Sequence, residues 1–131
     1  MTSKAFGKSS RLLNASDFQK VFDNPPFRAS HKHFLILARH NGLAHSRVGL
    51  VIAKKNIRLA VNRNLIKRLI RESFRASQQN LGGIDAIVLA RRGMDALENP
   101  FLRQQLDKQW LKLGRKASIK EETIKEGSAE P

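Results

Sequence analysis

The chain has no cysteine, and only 11 of its 131 residues are acidic against 25 lysines and arginines. Without cysteine there is no disulfide framework and no thiolate metal site, which agrees with a cytosolic chain. The acids of the first 113 residues, Asp17, Asp23, Glu72, Asp85, Asp95, Glu98 and Asp107, are scattered. No two of them read as a catalytic dyad, and no group of them reads as a metal-binding cluster. A glycine-rich phosphate loop, a serine elbow and a Cys–His pair are also lacking. Nothing here marks a self-sufficient enzyme. No apolar run approaches the length of a membrane-spanning helix, and the opening MTSKAFGKSSR lacks the apolar centre of a signal peptide.

What the chain does have is positive charge, a formal +14 on a sequence that is 40% hydrophobic. That length and apolar content suit one globular domain with a modest core. Beyond residue 113, Arg115, Lys116, Lys120 and Lys125 are balanced by Glu121, Glu122, Glu126 and Glu130, so the whole surplus rests on residues 1–113. A compact domain carrying that charge repels itself, and an anionic partner is the usual offset. Nucleic acid, acidic lipid and an acidic protein are the candidates.

The charge is densest in residues 54–75, KKNIRLAVNRNLIKRLIRESFR, which hold eight basic residues and one acid, Glu72. At about 100° per residue, Arg63, Asn64, Lys67, Arg68, Arg71 and Arg75 share one arc, and Leu65, Ile66, Leu69, Ile70 and Ser73 fill the opposite one, with Phe74 at its border. A helix over about 62–79 is predicted, with an apolar stripe for the core and a cationic outer face. Ordinary solvated faces mix signs, because Glu–Lys pairs at i, i+4 stabilise and like charges there destabilise. Here Arg63, Lys67, Arg71 and Arg75 are like charges four apart, a local cost that a polyanion removes. A lipid surface is the weaker partner, since the apolar stripe is needed for the core.

Residues 1–13 read as a basic, mobile arm. Ser16-Asp-Phe-Gln19 reads as a capping box opening a short helix over about 17–22, which puts Phe18 and Phe22 four apart on one face; core packing is the plain reading of that pair. Asn24-Pro25-Pro26 ends it. Strands are expected at 27–30, 33–39, 46–53 and 84–90, and their continuous apolar runs suit burial on both faces. Gly49 suggests a bulge or the close approach of another backbone. Gly82-Gly83 stops the basic helix. Asn99-Pro100 starts another, in which Phe101, Leu102, Leu106, Trp110 and Leu113 recur at helical spacing to residue 113 and pack it on the sheet, and 114–131 reads as a disordered tail. The result is an α+β sandwich with a small sheet, in which 46–53, 62–79 and 84–90 form a parallel crossover. His31, His33, His40 and His45 crowd together in sequence; exposed histidines flanking a hairpin account for them more simply than a metal site. A basic helix lying between strands, beside a sheet and aromatics, suits RNA or single strands better than a DNA major groove. A groove between helix and sheet is expected, with Lys67 and Arg71 on one wall and Phe18 and Phe22 on the other.

Four segments in this order, Ser-Asp-Phe-Gln-Lys-Val-Phe at 16–22, Arg-Val-Gly-Leu-Val-Ile-Ala-Lys-Lys at 47–55, Arg-Asn-Leu-Ile-Lys-Arg-Leu-Ile-Arg-Glu-Ser-Phe-Arg at 63–75 and Asp-Ala-Ile-Val-Leu-Ala-Arg at 85–91, resemble the protein component of bacterial ribonuclease P over roughly residues 10–113. The resemblance implies an αβββαβα sandwich with a small mixed sheet and a left-handed β-α-β crossover. It implies a monomeric, cytoplasmic RNA-binding protein in a 1:1 complex with a catalytic RNA, removing the 5′ leader of precursor tRNA, with cleavage belonging to the RNA and its Mg²⁺. No catalytic residue and no metal ligand is implied in the protein. RNA-subunit binding is carried over to Arg63, Asn64, Arg68, Arg75, Lys54 and Lys55, and leader binding to Phe18, Phe22, Lys67, Arg71 and the sheet position Leu37. Two departures stand out. The signature Arg-Asn-Arg has Leu65 at its third position, expected to pack, and Leu37 stands where an aromatic ring often supplies a stacking surface. A basic ribosomal or RNA-chaperone protein is the alternative reading, and a DNA-binding regulator a third.

Overall fold

The computed structural model describes residues 14–129, with side chains described through residue 118. Its elements are α1 (Ala15–Phe22), β1 (Phe27–His31), β2 (Phe34–His40), β3 (Arg47–Val51), α2 (Ala60–Leu81), β4 (Ile84–Ala90), a 3₁₀ turn (Met94–Ala96) and α3 (Asn99–Ala129). This is the αβββαβα order. The expected basic arm, residues 1–13, lies outside the described residues.

The sheet runs β1-β2-β4-β3. β1 and β2 form an antiparallel hairpin, β2 pairs antiparallel with β4, and β3 pairs parallel with β4, Arg47 opposite Asp85 and Val51 opposite Leu89. The sheet is therefore mixed, and α2 is the crossover from β3 to β4, the connection to which the resemblance assigns a left-handed path. β2 and β3 are consecutive but do not pair, because β4 lies between them. The apolar run of β3 accordingly sits at a sheet edge, while β4 is buried at six of its seven positions.

Alternation along the strands splits the core in two. Ile36, Ala38, Val48, Ala86 and Val88 face Ile66, Ile70 and Phe74 of α2 and Leu102, Leu106, Trp110 and Leu113 of α3. On the other face, Leu37 and Ile87 pack against Val21 of α1, with Phe18, Leu35, Val51 and Leu89 partly buried around them. Burying one large apolar side chain contributes roughly 1.5–3 kcal/mol, so the larger cluster holds most of the stability, and α1 is a lighter cover on the opposite side.

Helix ends depart from the sequence expectations in instructive ways. The cap of α1 is Asn14, whose side-chain oxygen accepts the Asp17 N–H at 2.8 Å, not Ser16, because the helix begins one turn's fraction earlier. α2 begins at Ala60 with Leu59 as its N-cap, a residue that offers no capping side chain. It ends on Gly82 in the left-handed region, φ 65°, where glycine alone avoids a steric penalty. Phe101, expected on the packed face of α3, points to solvent at 48% exposure, because its neighbour Leu102 takes the core position, and α3 does not stop at 113. Gly114 has no Cβ to strike the Asn80 carbonyl of α2, and Ala117 is again buried, so close packing carries the helix past the end of the apolar pattern. Among the described residues no helix is long and apolar enough to cross a membrane.

Candidate nucleic-acid interface

The helical arc predicted from spacing is present on α2. Ile66, Ile70, Ser73 and Phe74 are buried, while Asn64, Arg68 and Arg75 are exposed and Lys67 and Arg71 half-buried. Asn64, Lys67, Arg68, Arg71, Glu72 and Arg75 line one concave surface of about 520 Å³. Its single acid is tied up from outside: Glu72 meets Arg103 of α3 at 3.8 Å. Arg103 also holds Asp107 at 3.1 Å, and Ser73 donates to the same carboxylate. Among the described residues Lys67 and Arg68 form no ion pair with an acid. Lys54 and Lys55 are exposed in the turn that follows β3.

Arg63 behaves differently from its neighbours. Its guanidinium donates to the carbonyls of Ile57 at 3.0 Å and Arg58 at 2.8 Å, so it binds the loop that leads into the helix. Leu65 is half-buried in a recess with Ile66, Met94, Leu97 and Leu102; it packs, as its place at the edge of the apolar arc predicts.

Phe18 and Leu37, with α1 and its Phe22, lie on the opposite face of the sheet from α2, so the expected groove with Lys67 and Arg71 facing the two phenylalanines is not what the fold builds. The concavity on α2 contains no sheet residue and neither phenylalanine. Phe18 lies over Gly49 of β3: a Cβ placed there would fall 2.5 Å from the Phe18 Cζ. The close approach at Gly49 is thus made by a ring and not by a backbone. Phe22 is 40% exposed and free of the core. Leu37 is covered by α1 and only 8% exposed, which leaves it a floor residue with little surface to offer. Leu35, Val51 and Leu89, in one row across β2, β4 and β3, remain partly open beside Phe18. Sequence reasoning missed these three, although their strand alternation with Leu37 and Ile87 is a usable signal.

α1 is held in place by charge. The buried Asp85 carboxylate accepts from Arg47 Nε at 2.8 Å and Nη2 at 2.6 Å, and from Asn41 Nδ2 at 2.9 Å. Arg47 also reaches Asp17 of α1 at 3.7 Å. The Asp85 hydrogen bond is the main cause that raises the Arg47 pKa above its ordinary value, against partial desolvation. A raised arginine pKa leaves the clamp intact below the ordinary value, and its contribution is lost only as pH rises past the folded one. Across the helix, Arg39 Nη1 donates to the Lys20 carbonyl at 3.3 Å.

The four histidines are half-buried and packed, not exposed. His31 stacks on Phe34 with ring centroids 4.5 Å apart, and His40 meets Phe27 edge-on at 5.1 Å. They divide between the β1–β2 turn and the far end of β2, and only the former is a hairpin. Among the described residues no group of three or more His, Asp or Glu gathers. Asp17, Asp85, Glu72 and Asp107 face arginines, Asn41 or Ser73, and Asp95 accepts from the Asn62 amide at 3.1 Å.

The Ribonuclease P family matches residues 6–114 of the chain. The chain is 55% identical over 115 residues to the ribonuclease P protein component of Pseudomonas aeruginosa, covering 88% of this chain and 85% of that one. Among solved structures it resembles a Staphylococcus aureus RNase P protein mutant with defective mRNA degradation activity, at 28% identity and a TM-score of 0.73, over 82% of this chain and 90% of that one. It also resembles the RNase P protein from Thermotoga maritima, at 28% identity and a TM-score of 0.68, over 78% and 96% of the two chains.

Proposed function

Because the chain belongs to the ribonuclease P protein family, and so is a component of that tRNA-processing nuclease, we propose that it binds the catalytic RNA through α2 and the 5′ leader of precursor tRNA beside α1. The observation that carries this reading is the concavity of Asn64, Lys67, Arg68, Arg71 and Arg75, whose one acid is engaged by Arg103. Such a surface attracts ribose-phosphate, displaces its counterions, and makes affinity steeply salt-dependent.

The two surfaces have separate tasks. Asn64, Arg68 and Arg75, with Lys54 and Lys55 nearby, meet the catalytic RNA. Phe18 and Phe22, with the open row Leu35, Leu89 and Val51, offer apolar area to the unstacked bases of the leader. Lys67 and Arg71 belong to the α2 concavity and act on the leader only where its backbone rounds the β3 edge, the strand that both helices touch. Arg63 contributes by fixing the loop that carries Lys54 and Lys55. Bond breaking is left to the RNA and its Mg²⁺, and the protein acts as a monomer in a 1:1 cytoplasmic complex.

Reconstitution tests the reading. Added to its cognate RNA, the chain should restore precursor-tRNA cleavage at low Mg²⁺, while the chain alone cuts nothing. Equal binding to unrelated structured RNAs, without that rescue, would instead favour a general RNA-chaperone role.

A further inference from the structure

The N-cap and the first turn of α2 leave two apolar side chains, Leu59 and Val61, in water at the front of the cationic helix. Leu59 is 60% exposed and Val61 69%, more than any other large hydrophobic side chain among the described residues. This exposure is not slack. Ile57 is fully buried. The N–H groups of Asn56 and Ile57 both donate to the Ala53 carbonyl at 3.0 Å. Asn56 Nδ2 donates to the Ala90 carbonyl at 2.9 Å, and the Arg63 guanidinium closes onto the carbonyls of Ile57 and Arg58. A segment pinned at so many points holds its next side chain outward. Leucine also occupies a helix-capping position where Ser, Thr, Asp or Asn would stabilise the fold.

Beside Leu59 runs a groove of about 480 Å³ lined by Asn56, Arg58, Leu59, Arg92, Gly93 and Asp95. Arg58 and Arg92 are exposed on its rim, and Lys54 and Lys55 are exposed just upstream. The one acid, Asp95, accepts from Asn62. An apolar centre ringed by cations matches an unpaired nucleobase, which presents an apolar face with a phosphate on either side. A second copy of the chain would bring another formal +14 against the same cations, so charge opposes self-association.

We propose that Leu59 and Val61 form a docking point for an unpaired nucleobase of the partner RNA, with Arg58 and Arg92 on the flanking phosphates. The proposal rests on the reading of α2 as the RNA-binding surface and adds to it a contact that charge does not make.

The test compares wild type, L59S/V61S and R58A/R92A for affinity to the cognate catalytic RNA over a range of salt. L59S/V61S should bind roughly tenfold or more weakly, the scale of one buried apolar side chain, with the salt slope unchanged. R58A/R92A should flatten the slope by roughly one to two units. Chemical probing should find unpaired bases protected by wild type and reactive again with L59S/V61S. Leu59→Ser alone should melt higher, as a restored cap, yet bind RNA less well, which separates the effect from unfolding. If L59S/V61S binds like wild type while wild type still prefers the cognate RNA, this inference fails and the proposed function stands. If wild type shows no preference for that RNA over unrelated structured RNAs, both fail. If the substitutions abolish a concentration-dependent dimer and leave RNA affinity intact, the occupant is a second copy and the proposal is overturned.

Discussion

Gly49→Ala should destabilise the protein through one contact, the ring of Phe18. A Cβ at residue 49 would lie 2.5 Å from Phe18 Cζ, 2.8 Å from Cε1 and 3.2 Å from Cε2. Carbon atoms rest about 3.5–4.0 Å apart, so the ring must withdraw by about an ångström. It can do so by turning about its own side-chain bonds, which packing against its partly buried neighbours resists, or by moving α1, which Arg47 and Arg39 fasten to the sheet. Overpacking of this kind costs about 1–3 kcal/mol, or about 3–5 °C in Tm per kcal/mol for a domain of this size. Without the ring the sign should reverse. Gly49 does not occupy the left-handed region, and alanine in a strand interior is more stable than glycine by roughly 0.5–1 kcal/mol. A double-mutant cycle with Phe18→Ala, read by urea unfolding, should therefore give a coupling of at least about 1.5 kcal/mol. The same Gly49→Ala variant should discriminate less well between precursor and mature tRNA, since Phe18 and its neighbours are displaced together. An equal loss of stability in both backgrounds would refute the argument, because the strain would then come from the strand itself.

Arg47→Ala leaves the buried Asp85 carboxylate with only Asn41 and should cost about 3–5 kcal/mol; Arg47→Met with Asp85→Leu should recover most of that, both read by chemical denaturation. Arg68→Ala should weaken catalytic-RNA binding and reduce its salt slope by about one unit, whereas Phe22→Ala should spare that binding and reduce precursor-over-mature discrimination, by roughly 1–3 kcal/mol if the ring stacks on a base. A Phe22→Ala variant that only melts lower would assign the ring to the core. The His31 pKa is lowered, chiefly by burial, with His33 and Arg91 adding to the effect and the Gln105 hydrogen bond opposing it. The unfolded chain therefore takes up a proton at His31 more readily than the folded one, so stability should fall as pH drops through about 6.5, the ordinary value. His31→Gln should remove that component from a pH series of melting curves.

Much of the basic surface of α2 was legible in the residues. Spacing alone separates Ile66, Ile70, Ser73 and Phe74 from Asn64, Arg68 and Arg75, because a helix of this length has one face to bury. Gly82 ends the helix where its backbone freedom is needed. Periodicity does not say what covers a face, and there the expectations went astray. Strand alternation gives β2 and β4 two apolar faces, but nothing local assigns α1 to one of them and α2 with α3 to the other. The imagined groove joining Lys67 to Phe18 therefore did not form. The same limit explains Leu37, whose cover comes from α1, and Arg63, whose hydrogen bonds depend on the path of a loop five residues earlier. α3 outruns its apolar pattern because Gly114 earns its place by approach to Asn80, a tertiary fact that a glycine in isolation conceals.

The scarcity of acids takes on meaning once their positions are known. Asp85 and Asp17 sit where β4, β3 and α1 meet, both against Arg47. Glu72 and Asp107 sit on α2 and α3, both against Arg103. Asp95 reaches from the 3₁₀ turn to Asn62. Each of these carboxylates lies at a joint between elements. Only the Arg47–Asp85 pair is buried enough to contribute strongly; the exposed Arg103 contacts are worth roughly 0–1 kcal/mol each. Their larger effect is on the field, because every acid placed at a joint is one withheld from the outer faces. Lys67 and Arg68 then keep a repulsion that Glu72 in the same concavity offsets only in part, a strain that the core of Ile70, Phe74 and Trp110 must outweigh in the free protein and that a polyanion relieves on binding. The free protein should consequently be more stable in high salt than in low, the reverse of what salt does to its hold on RNA.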